Sequence, residues 1–128
     1  MEYIQPAALA TPRGHYSPAV RWGDLVFVSG QLPTAPDGQV RLSSIEEQVH
    51  LCLKNIETIL KASGSGLNQI LKVNIYLSDI ALWPRVNAAY AAYLGEHRPA
   101  RVVIPCGPLH YGCSVEIDCV AAVSRMED

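Results

Sequence analysis

The eight residues Val115 to Ala122, VEIDCVAA, limit what this chain can fold into more than any other stretch. Side chains alternate across a strand, so Val115, Ile117, Cys119 and Ala121 share one face while Glu116 and Asp118 share the other. The first face belongs to a core. The second carries two carboxylates on a strand otherwise apolar enough to be interior, so water, a partner subunit or a ligand must cover it. Just upstream, Arg101 alternates with Val102 in a second strand-like run. A hairpin joining the two runs through the Pro105 to Gly112 loop would line one small pocket with a guanidinium and a carboxylate.

The rest of the chain supplies a frame for that pair. Residues 1–14, rich in Pro and Ala without a period, read as an extended arm and a loop. Tyr16 to Arg21 and Leu25 to Gln31 read as strands around a tight turn at Trp22, Gly23 and Asp24. Leu32 to Leu42, with Pro33, Pro36 and the Asp37-Gly38 pair, reads as a surface loop. Ser43 and Ser44 stand three residues ahead of Glu46 and Glu47, a capping-box signature at the start of an apolar stripe. Ile45, Val49, Cys52, Leu53, Ile56, Ile59 and Leu60 then recur at helical spacing until Ser63-Gly64-Ser65-Gly66 stops the helix. Leu71, Val73, Ile75 and Leu77 alternate with Lys72, Asn74, Tyr76 and Ser78, the pattern of a half-buried strand. Leu82, Val86, Ala89, Tyr90, Tyr93 and Leu94 mark a second helix, closed by Gly95, with Pro84 confined to its first turn.

The order β-β-α-β-α-β-β predicts an α+β domain of two layers, a mixed sheet with both helices on one face. The other face then needs cover, which points to oligomerisation. At 128 residues the chain is expected to be a single domain spanning 1–128, with no linker inside residues 15 to 124. Apolar residues make up 49% and charged residues only 17%, a surface poor in charge for a monomer. A net charge of −2 argues against nucleic acid as partner. The start of the chain has no signal-peptide pattern, and no apolar run reaches membrane-spanning length, so a cytoplasmic protein with no membrane partner is expected. Cys52, Cys106, Cys113 and Cys119 include no CxxC pair and read as reduced thiols. A zinc site from Cys106, His110, Cys113 and Cys119 is disfavoured, since Cys119 falls on the core face. A Cys106 and His110 nucleophilic pair has no sign of a depressed thiol pKa behind it.

Several separated pieces also occur in a familiar order. They are Tyr16-Ser17, the segment Val28 to Pro33 (VSGQLP), Gln48 and Asn55-Ile56, Val86-Asn87 and Tyr90, Pro99-Ala100-Arg101, and Val115-Glu116-Ile117. Together, from about Gly14 to Ala122, they resemble the RidA/YjgF family of enamine and imine deaminases. The resemblance implies a chorismate-mutase-like fold assembled as a homotrimer, with clefts between subunits and neither metal nor organic cofactor. It implies hydrolysis of reactive enamines or imines, of the 2-aminoacrylate type, to 2-keto acids and ammonia. Carried onto this chain, Arg101 would hold the substrate carboxylate, Glu116 would activate water and exchange protons, and Tyr16, Ser29, Gly30 and Asn87 would line the cleft. The chain departs from the pattern at His15, where proline commonly precedes the tyrosine, and at Val103, where many members carry cysteine and where the substrate would be touched. The run Leu109 to Cys113 also replaces the usual turn.

Plainer readings stand beside these. Arg101 would serve equally as one half of an interface ion pair with Glu116 or Asp118, since structural pairs outnumber active sites. Trp22, Trp83, Tyr90 and Tyr93 read as core or interface aromatics, and His15 as a solvated loop histidine. A non-catalytic module that captures small carboxylates or keto acids, and a ribonuclease or translation-inhibitor-like member, are the competing functions.

Overall fold

The computed structural model describes residues 1–123; the last five residues of the expected 1–128 domain, and the end of the linker-free span at 124, lie outside the described residues. One mixed sheet carries two helices on a single face, as the pattern predicts. Its strands are β1 (Glu2–Ile4), β2 (Ala19–Trp22), β3 (Leu25–Gln31), β4 (Ile70–Leu77), β5 (Ala100–Pro105) and β6 (Val115–Ala122), in the spatial order β1-β2-β3-β6-β4-β5. The helices are α1 (Ile45–Ala62) and α2 (Trp83–Leu94). Among the described residues no helix is long and apolar enough to cross a membrane.

Helix α1 begins where the serines predict. The Ser44 hydroxyl accepts from the Glu47 amide, and Glu46 and Glu47 put negative charge in the first turn, against the positive end of the helix dipole. Val49, Cys52, Leu53, Ile56, Ile59 and Leu60 are fully buried against the sheet, the outcome of an apolar stripe at helical spacing. On the sheet side Val26, Val73, Ile75, Val115, Ile117 and Ala121 complete this core. Helix α2 lies beside α1 and buries Val86, Tyr90 and Leu94, with Pro84 in its first turn, where a missing N–H is harmless. Cys52, Cys113 and Cys119 are buried and Cys106 is exposed, all four as free thiols.

Four expectations need correction. The arm is not all loop, because Glu2, Tyr3 and Ile4 pair with Arg21, Val20 and Ala19 as an edge strand. Three residues are too short for any period to show. The strand expected from Tyr16 begins only at Ala19, since Ser17 and Pro18 are taken up with bonds to Ser29. Leu71 is exposed while Ile70 is buried, because the pairing of β4 with β6 shifts between Ile70 and Lys72. That irregularity moves the start of β4 out of the alternation its sequence displays.

The fourth correction matters most for function. Strands β5 and β6 do not form a hairpin, because β4 lies between them, parallel to β5 and antiparallel to β6. Helix α2 carries the chain from β4 to β5 as a crossover, which places β5 at the sheet edge. The long segment after Pro105 then passes β4 to reach β6 on its far side. The face of the sheet away from the helices is uncovered, and Tyr3, Trp22, Phe27, Val102 and Ile104 are exposed.

Candidate active site

Register decides where the two key charges point. Arg101 pairs with Val73, whose side chain lies in the core under the helices, so Arg101 faces the helix side. Glu116 pairs with Tyr76 and alternates with the buried Val115 and Ile117, so it faces the open side. Within one chain, then, the guanidinium and the carboxylate do not line one pocket. They occupy opposite faces of the same sheet.

On the helix side Arg101 is half-buried and held by α2. Its Nη1 donates to Asn87 Oδ1 at 3.0 Å, and its guanidinium lies 4.9 Å from the centre of the Tyr90 ring and 5.9 Å from that of Trp83. Cation–π contact and one neutral acceptor orient the fork without neutralising it. Among the described residues of one chain no carboxylate stands within ion-pair distance of Arg101. The Tyr90 hydroxyl is buried without a hydrogen-bond partner among the described residues, and burial raises its pKa. Val103, two residues on, turns to the same side and packs against the core margin beside Ile75.

On the open side Glu116 lies in a cleft of about 730 Å³ that it shares with Tyr16, Ser29 and Gly30. The cleft runs between the arm before Tyr16, the end of β3, the loop after it and the turn at His110 and Tyr111. Ser29 Oγ donates to the Ser17 carbonyl at 2.6 Å and its amide to the Pro18 carbonyl at 2.9 Å, which ties the arm to β3. The pairing of β3 with β6 shifts between Val28 and Gln31, a bulge at Ser29 and Gly30 opposite Asp118. Gly30 lets the Glu116 carboxylate lie close over the backbone, where a Cβ would push that side chain aside. Burial pushes the Glu116 carboxyl above its ordinary pKa, with nearby His110 lowering it and Asp118 raising it. No hydrogen bond to the Glu116 carboxylate is present among the described residues, which leaves its oxygens free for a ligand. Asp118 is engaged instead, accepting from Asn74 Nδ2 at 2.7 Å and Tyr76 Oη at 2.9 Å, and burial first, then this hydrogen bond, raises the Tyr76 pKa to about 12.

Two buried amides of α1 fix the surroundings. Asn55 Nδ2 donates to the Thr34 carbonyl and hydroxyl, and Gln48 Oε1 accepts from the Ser114 amide just ahead of β6. The sequence reading passed over Arg13 and Tyr111, which also line the cleft, the Arg13 guanidinium 5.9 Å from the centre of the Tyr111 ring. No pattern joins residues so far apart, although the atypical run Leu109 to Cys113 was a hint. Among the described residues no group of His, Cys, Asp and Glu is placed to hold a metal ion.

Residues 7–123 match a family model described as Endoribonuclease L-PSP, the model of the YjgF and RidA proteins. This chain belongs to the RidA/YjgF family. It is 38% identical to protein HMF1 of Saccharomyces cerevisiae over 91% of this chain and 88% of the yeast protein. It is 39% identical to the chloroplastic Reactive Intermediate Deaminase A of Arabidopsis thaliana, over 92% of this chain and 62% of the plant protein. The crystal structure of E. coli TdcF with bound serine superposes with a TM-score of 0.90 at 26% identity, covering 97% of this chain and all of TdcF. A RidA-type role in handling reactive intermediates follows at the level of the family. A chloroplast-named relative means that RidA/YjgF membership does not by itself fix the compartment, cytoplasmic or otherwise.

Proposed function

We propose that this protein hydrolyses small enamine and imine carboxylates of the 2-aminoacrylate type to 2-keto acids and ammonia. The site is completed between copies: Arg101 of one protomer faces the Glu116 cleft of the next, three times around a homotrimer. The reading rests above all on one observation, that a guanidinium without an acid partner and a carboxyl group without a hydrogen bond, among the described residues, occupy opposite faces of one sheet. Neither half can serve the other within a chain. Apposing the exposed face of one copy, with its apolar Phe27, Val102 and Ile104, to the edge of another would unite them and cover that face.

The chemistry asks little of the protein. A planar guanidinium grips the substrate carboxylate with two parallel hydrogen bonds. For an enamine, tautomerisation that moves a proton from nitrogen to C3 gives the imine. Water then adds to C2 while the Glu116 carboxylate takes its proton, and the same carboxyl returns a proton to nitrogen as the carbinolamine collapses to keto acid and ammonia. Burial raises the pKa of this carboxyl group, which makes it a better base toward water than an exposed glutamate and leaves it able to hand the proton on. Orientation supplies the remainder, since the substrate is already unstable in water. Tyr16, Ser29 and Gly30 shape the cleft around the reacting carbon, and Asn87 keeps the fork of Arg101 aimed. The serine-bound TdcF structure is consistent with a small amino-acid-like ligand. The ribonuclease reading has less support, because a net charge of −2 offers no basic surface to phosphates.

The test is keto-acid and ammonia release from 2-aminoacrylate generated in place by a serine dehydratase. The wild-type protein should accelerate it, and Arg101→Ala should lose roughly 100-fold or more in kcat/KM with folding intact, the scale of a charge-assisted pair removed from a site. Saturable keto-acid binding without any acceleration would instead make the protein a carboxylate-binding module.

A further inference from the structure

The proposed hydrolysis leaves one proton transfer without a carrier. Glu116 must be ionised to take a proton from water, whereas an imine accepts water readily only once its nitrogen carries a proton. A second group has to give that proton while Glu116 keeps its charge. Most titratable groups around Glu116 are engaged elsewhere. Asp118, two residues on, accepts from Asn74 and from the Tyr76 phenol of β4, and Asp37, in the loop after β3, is paired with Arg41 at 2.8 Å. Arg13 of the arm lies over the Tyr111 ring, and it and the Arg101 that the proposed assembly brings from the next protomer supply charge, not protons. The thiols of Cys52 on α1 and of Cys113 are buried, which pushes the pKa of each up. What remains is the Tyr16 phenol and the His110 imidazole, and of the two only an imidazole readily gives and takes protons near neutral pH.

His110 also stands in the right place. It lines the same cleft as Glu116, is exposed, makes no side-chain hydrogen bond among the described residues, and lies near enough for its charge to act on the Glu116 carboxyl. The backbone holds it there against a steric cost. Directly after His110 come Tyr111 at φ 60° and Gly112 at φ 75°, both left-handed, a conformation that is unfavourable for a tyrosine. The Cys113 amide closes this turn by donating to the His110 carbonyl at 3.1 Å, and the Ser114 amide anchors its end on Gln48 Oε1 at 3.0 Å. A strained turn fixed by buried residues presents its side chains in one direction.

We infer that His110 is a second catalytic residue of this cleft, the acid that protonates the imine nitrogen before water adds. The inference rests on the deaminase reading and adds a proton carrier to it. His110 gives its proton to nitrogen, and the imine becomes an iminium ion. Water then forms the new C–O bond at C2 while Glu116 takes the proton that water releases. Glu116 passes this proton to the amino group of the carbinolamine, and the C–N bond breaks with its electron pair leaving on ammonia. As the C=O bond forms, the hydroxyl proton returns to His110. Both side chains end as they began, and imine plus water has become keto acid plus ammonia.

The experiment follows kcat and KM from mildly acid to mildly alkaline pH, with 2-aminoacrylate supplied by excess dehydratase, for the wild-type protein, His110→Ala and His110→Gln. Wild-type kcat should rise as Glu116 ionises and fall again as His110 loses its proton. Each variant should lose about tenfold or more in kcat with little change in KM, a smaller loss than many acid–base groups show because the substrate is already unstable. The alkaline fall should be absent from both. Imidazole added to the buffer should restore much of the rate of His110→Ala, where it can take the vacated space, and not that of His110→Gln. Thermal melting establishes that the variants are folded, as the exposure of His110 leads one to expect. A kcat within about twofold of wild type in the folded variants, or no recovery of His110→Ala with imidazole, overturns the inference and leaves the deaminase reading intact. So does an alkaline fall that persists in the variants while only the acid limb moves, since His110 would then be no more than a neighbouring charge. Failure of the wild-type protein to accelerate the reaction at any pH overturns the deaminase reading itself.

Discussion

Glu116 shows how a single residue inherits its chemistry from its neighbours. Burial raises its pKa, Asp118 adds to the rise and His110 opposes it. In the unfolded chain the group titrates near 4.5; in the folded protein it does so at higher pH. Well below 4.5 both states are protonated and the group is neutral in its effect on stability. As the pH rises past that value the unfolded chain ionises first, and stability is lost until the folded value is passed. Glu116→Gln should therefore melt higher than the wild-type protein at pH 7, with the difference vanishing in acid. The same variant should lose roughly 100-fold or more in kcat, together with the rise of activity with pH that ionisation of Glu116 produces. Scanning calorimetry across pH tests the first part, and a glutamine variant that melts lower at pH 7 would show that a favourable partner holds the carboxylate. The strand period made the face of Glu116 legible from the sequence. Its titration was not legible, because that depends on burial in the folded cleft and on His110 reaching it from elsewhere in the chain.

At the scale of elements, local signals carried the reading where local physics decides. The Ser44 cap, the apolar stripe of α1 and the alternation of β6 each appear in the structure as the pattern dictates, while Ser43 makes no cap bond among the described residues. Pairing partners did not follow, because a strand with apolar residues on both faces, such as Arg101 to Ile104, fits equally beside β4 or β6 by periodicity alone. The short β1 left no trace for a similar reason. Buried polar residues within elements tell more about function than the apolar ones. Asn55 sits on the inner face of α1, where its amide donates to Leu32 and Thr34 of the loop that forms a wall of the Glu116 cleft. Asn55→Ala leaves half-buried acceptors of the loop without their donor and should cost roughly 1 kcal/mol. The urea midpoint should fall with the m-value unchanged, and kcat/KM should drop further than Gln39→Ala, on the exposed side of the same loop, makes it drop. Equal losses in the two variants would mean that the loop does not shape the site.

The whole molecule turns on a division that a single chain cannot mend. Arg101 and Glu116 are carried by strands on either side of β4, and their side chains leave the sheet in opposite directions. Period-two reasoning could place each charge on a face but could not relate the faces, since that requires knowing which strand lies between. If the site is shared, damage to the two halves must be separable between copies. Arg101→Ala and Glu116→Gln, each inactive alone, should recover activity when unfolded together and refolded, because a mutant carrying an intact Glu116 can face one carrying an intact Arg101. With random assembly about a quarter of the clefts receive both native residues, so about a quarter of wild-type kcat should return with an unchanged KM. Simple mixing of the folded homo-oligomers should restore activity only as fast as subunits exchange. Should the co-refolded mixture stay as inactive as its parents while sedimentation shows that the chains have mixed, the two residues do not meet across an interface. The apolar face bearing Phe27, Val102 and Ile104 would then be buried for some purpose other than completing the site.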